Sequence, residues 1–420
     1  MFEVMDKLTK LTIISAIIWI LVQIVIIVIY WNFEQTPDAC HYMEEAISHY
    51  QAGELYPSMM DLYDNYIQSP GMCNYLLLLY VIFGNFKIDI LINFVMNIAI
   101  LGEIFYLGKV LFSYRTACFS VILYCLIFTN VFAVIYILTE VPFLFFSLSA
   151  FILSLSNKIK YVFVASLLYF IAYMLRPTVL AFCFVSLVFL LLNRRSFKYY
   201  FIGLIPFLLL WGATGIYNKS NIGYFITSSS SGGQNLLMSI DEDANLGGFN
   251  SKILKDSTRS TFIPDKEHKT FYEKDSIYKT MAMSMIKDRP IKYISNCVQK
   301  IPMMFLYDEW AYPNKWYHFV DEPEDSLKHL WKVRISLVFV SLSYILLCIS
   351  FFISLWINRK ELLSVKIVIP LIVFVYVVGS CLLTIENRYH YPFVFALAIW
   401  VSYGLDQYLI GKNRNVREYN

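Results

Sequence analysis

Asp38, His41, Glu45 and His49 recur at spacings of three and four within EQTPDACHYMEEAISHYQAG, Glu34 to Gly53. On a helix that spacing puts all four in one stripe. A carboxylate presented this way can take a proton from a hydroxyl within about 3 Å. With His41 it could also begin a metal site, although two ligand types name no particular ion. Other ionisable residues stand at the rims of apolar runs: Glu140 in YILTEVPFLFF, Arg176 in YMLRPTVLAF, and Glu386, Arg388 and His390 in LLTIENRYHYPF. A charge at mid-bilayer costs about 2.5–3.5 kcal/mol, and less near the rim. Singly, each reads as a capping or snorkelling residue; Thr139 could cap its helix, with Glu140 at the positive end of the dipole. Together, Asp38, Glu140, Arg176, Glu386 and Arg388 are expected to face one cavity from separate spans. Arginine supplies a fixed fork of donors suited to phosphate oxygens.

The elements that must position these groups belong to a membrane protein. The chain has 420 residues, of which 58% are hydrophobic and only 15% charged, with a mean hydropathy of +0.57. A soluble domain is about a quarter charged, so a polytopic membrane protein is expected. Apolar runs near 11–30, 88–108, 117–135, 141–156, 161–175, 177–192, 199–217, 333–357, 367–384 and 391–409 predict about ten spans. The first is too long for a cleaved signal peptide and lacks a small-x-small site. With the N-terminus inside, Lys109, Arg115, Lys158, Lys160, Arg194, Arg195, Lys198, Arg359, Lys360 and Lys366 all fall in inner loops. The same parity makes Cys73 to Gly84 a helix that lies at the interface or dips in from outside, because a crossing there would invert every later loop. The net charge of +3 is scattered at span ends and gives no case for nucleic acid.

Two long outer segments result, 31–87 and 218–331. They divide the chain into an N-terminal membrane module (1–217), the outer region (218–331) and a C-terminal membrane module (332–420). In the first segment Thr36 is a good N-cap, Pro37 suits the first helical position and Gly53 can close the helix. Ala39, Tyr42, Met43, Ala46, Ile47 and Tyr50 share the face opposite the acidic stripe. Such a helix should lie flat on the outer leaflet, its polar face either lining an aqueous chamber or simply wet. In the second segment TSSSSGGQN and NLGGFN read as loop, Ile277 to Met304 as helix broken at Pro290, and Asp241-Glu242-Asp243 as a solvated acidic turn. The eight cysteines include no C-x-x-C motif, so no zinc ribbon or redox motif is expected; a Cys40–Cys73 bridge is one option.

The order of these features resembles the C-type glycosyltransferase superfamily, in the branch similar to protein O-mannosyltransferases and bacterial lipid-A aminoarabinose transferases. The matching pieces are TPDACHYMEEAISHYQAGELYP, SPGMCNYLLLLYVIFGN, LTEVPFLFFSLSAFIL, LYFIAYMLRPTVLAF, MAMSMIKDRPIKYISNCVQKI and ENRYHYPF, spread over nearly the whole chain. Ala39 stands where members often carry a second acid, and Ser69-Pro70 where they often carry two prolines. The resemblance implies an all-α bundle and transfer of a sugar from a polyprenyl-phosphate donor to a glycan, lipid or protein acceptor. That chemistry would run on the extracytoplasmic face of a bacterial inner membrane, with both termini cytoplasmic. It implies Asp38 as the catalytic acid of the first outer loop, Glu140 as the acid of the second, and Arg176 and Arg388 as donor-phosphate ligands. His41, Glu45, Glu386 and Tyr389 are candidates for shaping the site or holding the acceptor. A divalent cation on Asp38, His41 and Glu140 is left open. An O-antigen polymerase or ligase and a polyprenyl or glycan transporter are the rivals; the acidic helix argues against the first, the absence of an internal repeat against the second.

Overall fold

The computed structural model describes residues 2–64, 66–156, 158–193, 197–240, 252–259, 261–263, 269–306, 308 and 326–418, and among them every regular element is helical. The chain runs through α1 (Phe2–Ile29), α2 (Pro37–Ala52), α3 (Pro70–Phe83), α4 (Ile88–Leu111), α5 (Tyr114–Cys125), α6 (Phe128–Phe132), α7 (Glu140–Ser154), α8 (Ile159–Leu175), α9 (Leu180–Leu192) and α10 (Phe197–Ile222). Then come α11 (Gly232–Ile240), α12 (Lys252–Lys255), α13 (Phe271–Asp288), α14 (Pro290–Lys300) and α15 (Met303–Leu306). Three helices follow: α16 (Ser326–Ile357), α17 (Val368–Cys381) and α18 (Val394–Glu418).

Each of the ten expected spans corresponds to helix, but length divides them. Among the described residues Asp6–Ile29, Ile88–Leu111, Tyr200–Ile222 and Arg388–Ile410 are long and apolar enough to cross a bilayer, which makes four. A fifth arises if Tyr114–Cys125 and Phe128–Ile135 count as one span. The straight span expected over 117–135 is not there; the two pieces meet at 74°. Asn130 braces that break by donating its Nδ2 hydrogen to the Tyr124 carbonyl at 2.9 Å, beside the Ile127 N–H that the same carbonyl accepts at 3.3 Å. Of the other expected spans, Glu140–Ser154, Ile159–Leu175, Pro177–Leu192 and Val365–Cys381 are apolar but shorter, while 333–357 lies within the 32 residues of α16.

Burial separates inner from outer helices. Phe393 to Trp400 at the start of α18 are fully buried, so this helix is the hub. α1 instead exposes Ile13, Ile14, Ile17, Ile18 and Leu21, an apolar surface of the kind a bilayer covers.

The flanks of α3 lie at one end of the bundle. Ser69 Oγ donates to the Leu175 carbonyl at 2.8 Å, where α8 finishes. Lys87 Nζ donates to Asn32 Oδ1 at 2.6 Å, where α1 finishes and α4 begins. Gly71 is required at this junction: a Cβ there would fall 2.5 Å from the Met174 backbone.

In the second outer segment the break at Pro290 is present, between α13 and α14. TSSSSGGQN is only partly loop, because α11 starts at Gly232. The Asp275 carboxylate on α13 accepts the N–H groups of Gly233 (2.7 Å) and Gln234 (3.1 Å), capping α11 from another helix. The Asp241–Asp243 triplet and NLGGFN lie outside the described residues. Cys40 and Cys73 are both free thiols, so the bridge between them is not formed.

Candidate active site

α2 is built as its sequence asks. Thr36 Oγ1 accepts the Ala39 N–H at 3.4 Å, Pro37 opens the helix, and Gly53, at φ +70°, ends it with its N–H on the His49 and Tyr50 carbonyls. The cap contributes about 1 kcal/mol. Ala39 and Ala46 have no exposed surface, which lets α2 lie close on α3. Asp38 is thereby fixed in the first turn, where the helix dipole favours a carboxylate. The preceding Gln35 ties this turn to the approach of α7. Its Nε2 donates to the Ile135 carbonyl at 2.9 Å, and its Oε1 accepts the Ile137 N–H at 3.0 Å. Those two bonds hold Asp38 beside Thr139 and Glu140, although about 100 residues separate them.

Arg388 is the centre of the site. One guanidinium nitrogen donates to Asp38 Oδ2. Its Nε lies 2.7 Å from Glu386 Oε2 and 3.4 Å from Glu140 Oε1. Glu140 is also held by Arg176 Nη2, so one carboxylate oxygen bridges two arginines. Arg176 Nε donates to Thr139 Oγ1 at 2.7 Å, and its guanidinium sits 5.3 Å over the Tyr389 ring. Glu140 is buried, with 1% of its side chain exposed, while Asp38 keeps 41% exposed. The site thus has a dry floor of Glu140 and the two arginines, and an accessible carboxylate above it. Burial raises the Glu386 carboxyl above the usual range; Arg388 opposes this and Asp38 and Glu140 add to it.

Five of the expected residues therefore meet: Asp38, Glu140, Arg176, Glu386 and Arg388, with Tyr389 under Arg176. Others depart from expectation. Thr139 does not cap α7; its hydroxyl is engaged by Arg176 instead. His41 pairs with Glu45 at 3.5 Å, and neither joins the arginines in an ion pair. The metal candidates Asp38, His41 and Glu140 do not form a ligand set, because both acids are held by guanidinium groups. His49 is buried, not part of a wet face, since the turn containing Asp61 folds over it. Tyr50, expected on the apolar face opposite the acidic stripe, is half exposed. His390 is buried with Asp308 at 3.1 Å. Burial, followed by Asp61 and Asp64, pushes the Glu45 carboxyl up to about 7.

Sequence reasoning missed Thr139 as an arginine ligand and the phenols of Tyr42 and Tyr66. Burial, then the Asp38 charge, raises both phenols, and Arg388 acts on each in the opposite direction. Periodicity puts Tyr42 on the apolar face, and Tyr66 sits in an irregular stretch with no pattern to mark it.

Neither a family model nor a curated protein matches the sequence. Among solved structures the chain is similar to the apo form of the Archaeoglobus fulgidus oligosaccharyltransferase, at TM-score 0.52 and 12% identity, over 97% of this chain and 51% of that one. It is also similar to the archaeal oligosaccharyltransferase AglB of Archaeoglobus fulgidus in complex with an inhibitory peptide and a dolichol-phosphate, at TM-score 0.49 and 12% identity, over 98% of this chain and 52% of that one. The chain spans about half the length of these structures. At such identity the likeness is one of fold: over nearly its whole length this chain shares the architecture of part of the Archaeoglobus fulgidus oligosaccharyltransferase.

Proposed function

We propose that the protein is a C-type membrane glycosyltransferase that moves a sugar from a polyprenyl-phosphate donor to an acceptor hydroxyl, with inversion at the anomeric carbon. The observation that carries this reading is the contact between Asp38 and Arg388, continued through Glu140 to Arg176. Four separate stretches of chain lend these groups to one end of the bundle. The fold likeness supports the class, and the motif order supports the branch near O-mannosyl and aminoarabinose transferases.

The phosphate of the donor departs as an anion, so it calls for positive charge more than for a proton. Arg388 presents several N–H donors: one hydrogen-bonds to Asp38, while Nε pairs with Glu386 and Glu140 by charge without a hydrogen bond. A donor phosphate competes with Asp38 for the same guanidinium nitrogen. On exchange, Arg388 and Arg176 neutralise the leaving phosphate, and Asp38 is freed to accept the proton of the attacking hydroxyl. The transition state carries oxocarbenium character, and attack opposite the phosphate inverts the centre. Glu140 holds the two arginines at a fixed separation; Glu386 and Tyr389 shape the wall of the site. His41 and Glu45 sit farther along α2, toward the side where an acceptor approaches.

Around this centre we place about ten crossings, the shorter apolar helices included, with 31–87 and 218–331 outside a bacterial inner membrane and both termini in the cytoplasm. The acceptor is a glycan, a lipid or a protein hydroxyl. The test is a transfer assay in membranes supplied with a polyprenyl-phosphate sugar. Transfer should occur with wild-type protein and fail with Asp38→Asn. Undiminished turnover by that variant removes Asp38 from the base role.

A further inference from the structure

A second cluster lies on the same helix, where neither the transfer chemistry nor the ion pairs of Arg388 use it. Glu45, His49 and Asp61 bring one ligand atom each to within 4.8 Å of one another. The cluster is enclosed: 13%, 0% and 3% of the three side chains are exposed. The His49 ring packs edge-on to Tyr56 at 5.1 Å.

We propose that Glu45, His49 and Asp61 bind a divalent ion of the zinc class, which fastens α2 to the turn at 58–61. This goes beyond the transfer reading and does not depend on it. The first support is the orientation of His49. Its Nδ1 lies 2.8 Å from the Glu45 carbonyl, an acceptor only, so Nδ1 carries a hydrogen. In the neutral ring Nε2 is then a lone pair, yet it points at Asp61 Oδ2 from 3.1 Å. Two acceptors facing each other in an enclosed site need a positive species between them. A histidine whose far N–H is held by a backbone carbonyl is also the usual second-shell arrangement of a metal ligand.

The second support is charge. With both carboxyls ionised, Glu45 and Asp61 bring two negative charges to the cluster, and Asp64 lies close enough to add to the negative potential at Glu45. One proton on His49 leaves the enclosed triad at −1, whereas a divalent ion brings it to zero. The neighbouring cations do not do this: Lys274 Nζ donates to the carbonyls of Tyr63 (3.2 Å) and Asp64 (3.4 Å), and His41 faces the other oxygen of Glu45. The third support is outer-shell order. Asp61 Oδ2 accepts the Ser58 N–H at 2.6 Å, and Ser58 caps the turn in return, so this carboxylate is held in place before any ion arrives. One nitrogen and two carboxylate oxygens, at about 2.0–2.2 Å from the ion, suit zinc with an open fourth position.

The experiment uses the full chain purified in detergent and stripped with a chelator. Zinc is then titrated calorimetrically, and bound metal is counted by elemental analysis. One ion per chain is expected. His49→Gln should weaken binding by more than the about 10–100-fold that loss of an outer-shell partner costs. Glu45→Gln, at the more open edge, is the second variant should His49→Gln fail to give monodisperse protein. Asp38→Asn should bind zinc as wild type does. No bound zinc in wild-type protein overturns the proposal. So does undiminished binding by His49→Gln or, in its place, Glu45→Gln. Loss of the ion in Asp38→Asn overturns it too, by moving the metal to the transfer centre. None of these readouts measures sugar transfer, so the two readings fail separately.

Discussion

Each end of the bundle holds an aspartate against an arginine, and the two pairs are built differently. Arg388 and Asp406 are separated by 18 residues along the last helical stretch, which at about 1.5 Å per residue is roughly the thickness of a hydrocarbon core. Asp406 meets Arg115 Nε at 3.2 Å and accepts hydrogens from Ser113 (2.7 Å) and Thr116 (3.4 Å). All three partners come from the first turn of α5 or its cap, and only 3% of the Asp406 side chain is exposed. That is a closed pin between two helices, with one acid answered by one base. At the other end three carboxylates, Asp38, Glu140 and Glu386, surround two guanidinium groups contributed from distant parts of the chain, and Asp38 stays open. A structural pin minimises unmatched charge. A site that must admit an anion and release a base keeps contacts that can be exchanged.

The sharpest way to break this contrast is to remove one arginine from each end. Arg388→Ala should lower transfer by about 10³-fold or more, the scale on which a charge-stabilising arginine acts in phosphoryl chemistry. Arg115→Ala should leave transfer near wild type and lower the thermal unfolding midpoint instead. A fall in transfer with Arg115→Ala matching that of Arg388→Ala would erase the distinction. Next in size is the pair of acids. Asp38→Asn should cost on the order of 10²-fold or more in kcat, as loss of a general base does. Asp406→Asn should show its effect in stability alone, measured as the same midpoint.

The third expected effect is on pH. Glu386 is held above the ordinary carboxylate pKa of 4.5 by burial, partly offset by Arg388. It therefore takes up a proton sooner than a free carboxylate as the pH falls from neutrality. Protonation removes one of three negative charges from a site with two arginines, so an anionic donor should bind more tightly at the lower pH. The donor KM should fall over that interval in wild-type protein and stay flat in Glu386→Gln. An unchanged profile in the variant would assign the titration elsewhere.

Much of this site was legible in the sequence, for reasons that also mark the limit. Thr36, Pro37 and Gly53 announce α2 because caps are local chemistry, and Asp38 follows from them. Glu140, Arg176 and Arg388 stand out because charge beside apolar runs is costly and must have a purpose. What stayed hidden depends on contacts far apart in sequence. Nothing near His49 says that Asp61 folds back on it, so a histidine in a polar stripe becomes a buried one. The bend between α5 and α6 was also invisible, because hydropathy averages over a window and does not register that Asn130 can receive a broken helix. The shorter helices pose the same problem: an apolar run gives its own extent, while its helical length depends on what meets its ends. At the end of α17, Lys300 Nζ takes the carbonyls of Cys381 (3.2 Å) and Leu383 (2.7 Å).

The smallest expected effect tests the floor of the site. Thr139 touches no reacting group; it accepts a hydrogen from Arg176 and its hydroxyl faces Glu140 Oε2 at 3.5 Å. As a positioning residue it holds the Arg176 plane over the Tyr389 ring. Thr139→Val removes that acceptor and leaves the Arg176 Nε without its partner, at a cost of about 1 kcal/mol, or roughly fivefold in kcat/KM. Thr139→Ser keeps the acceptor and should restore wild-type values. A purely steric role would be met as well by valine, whose shape matches threonine, so failure of serine to rescue where valine succeeds would separate Thr139 from the arginine. Rescue by serine alone would place the hydrogen bond, and with it the orientation of Arg176, in the chain of contacts that runs from Tyr389 through Glu140 to Arg388 and Asp38.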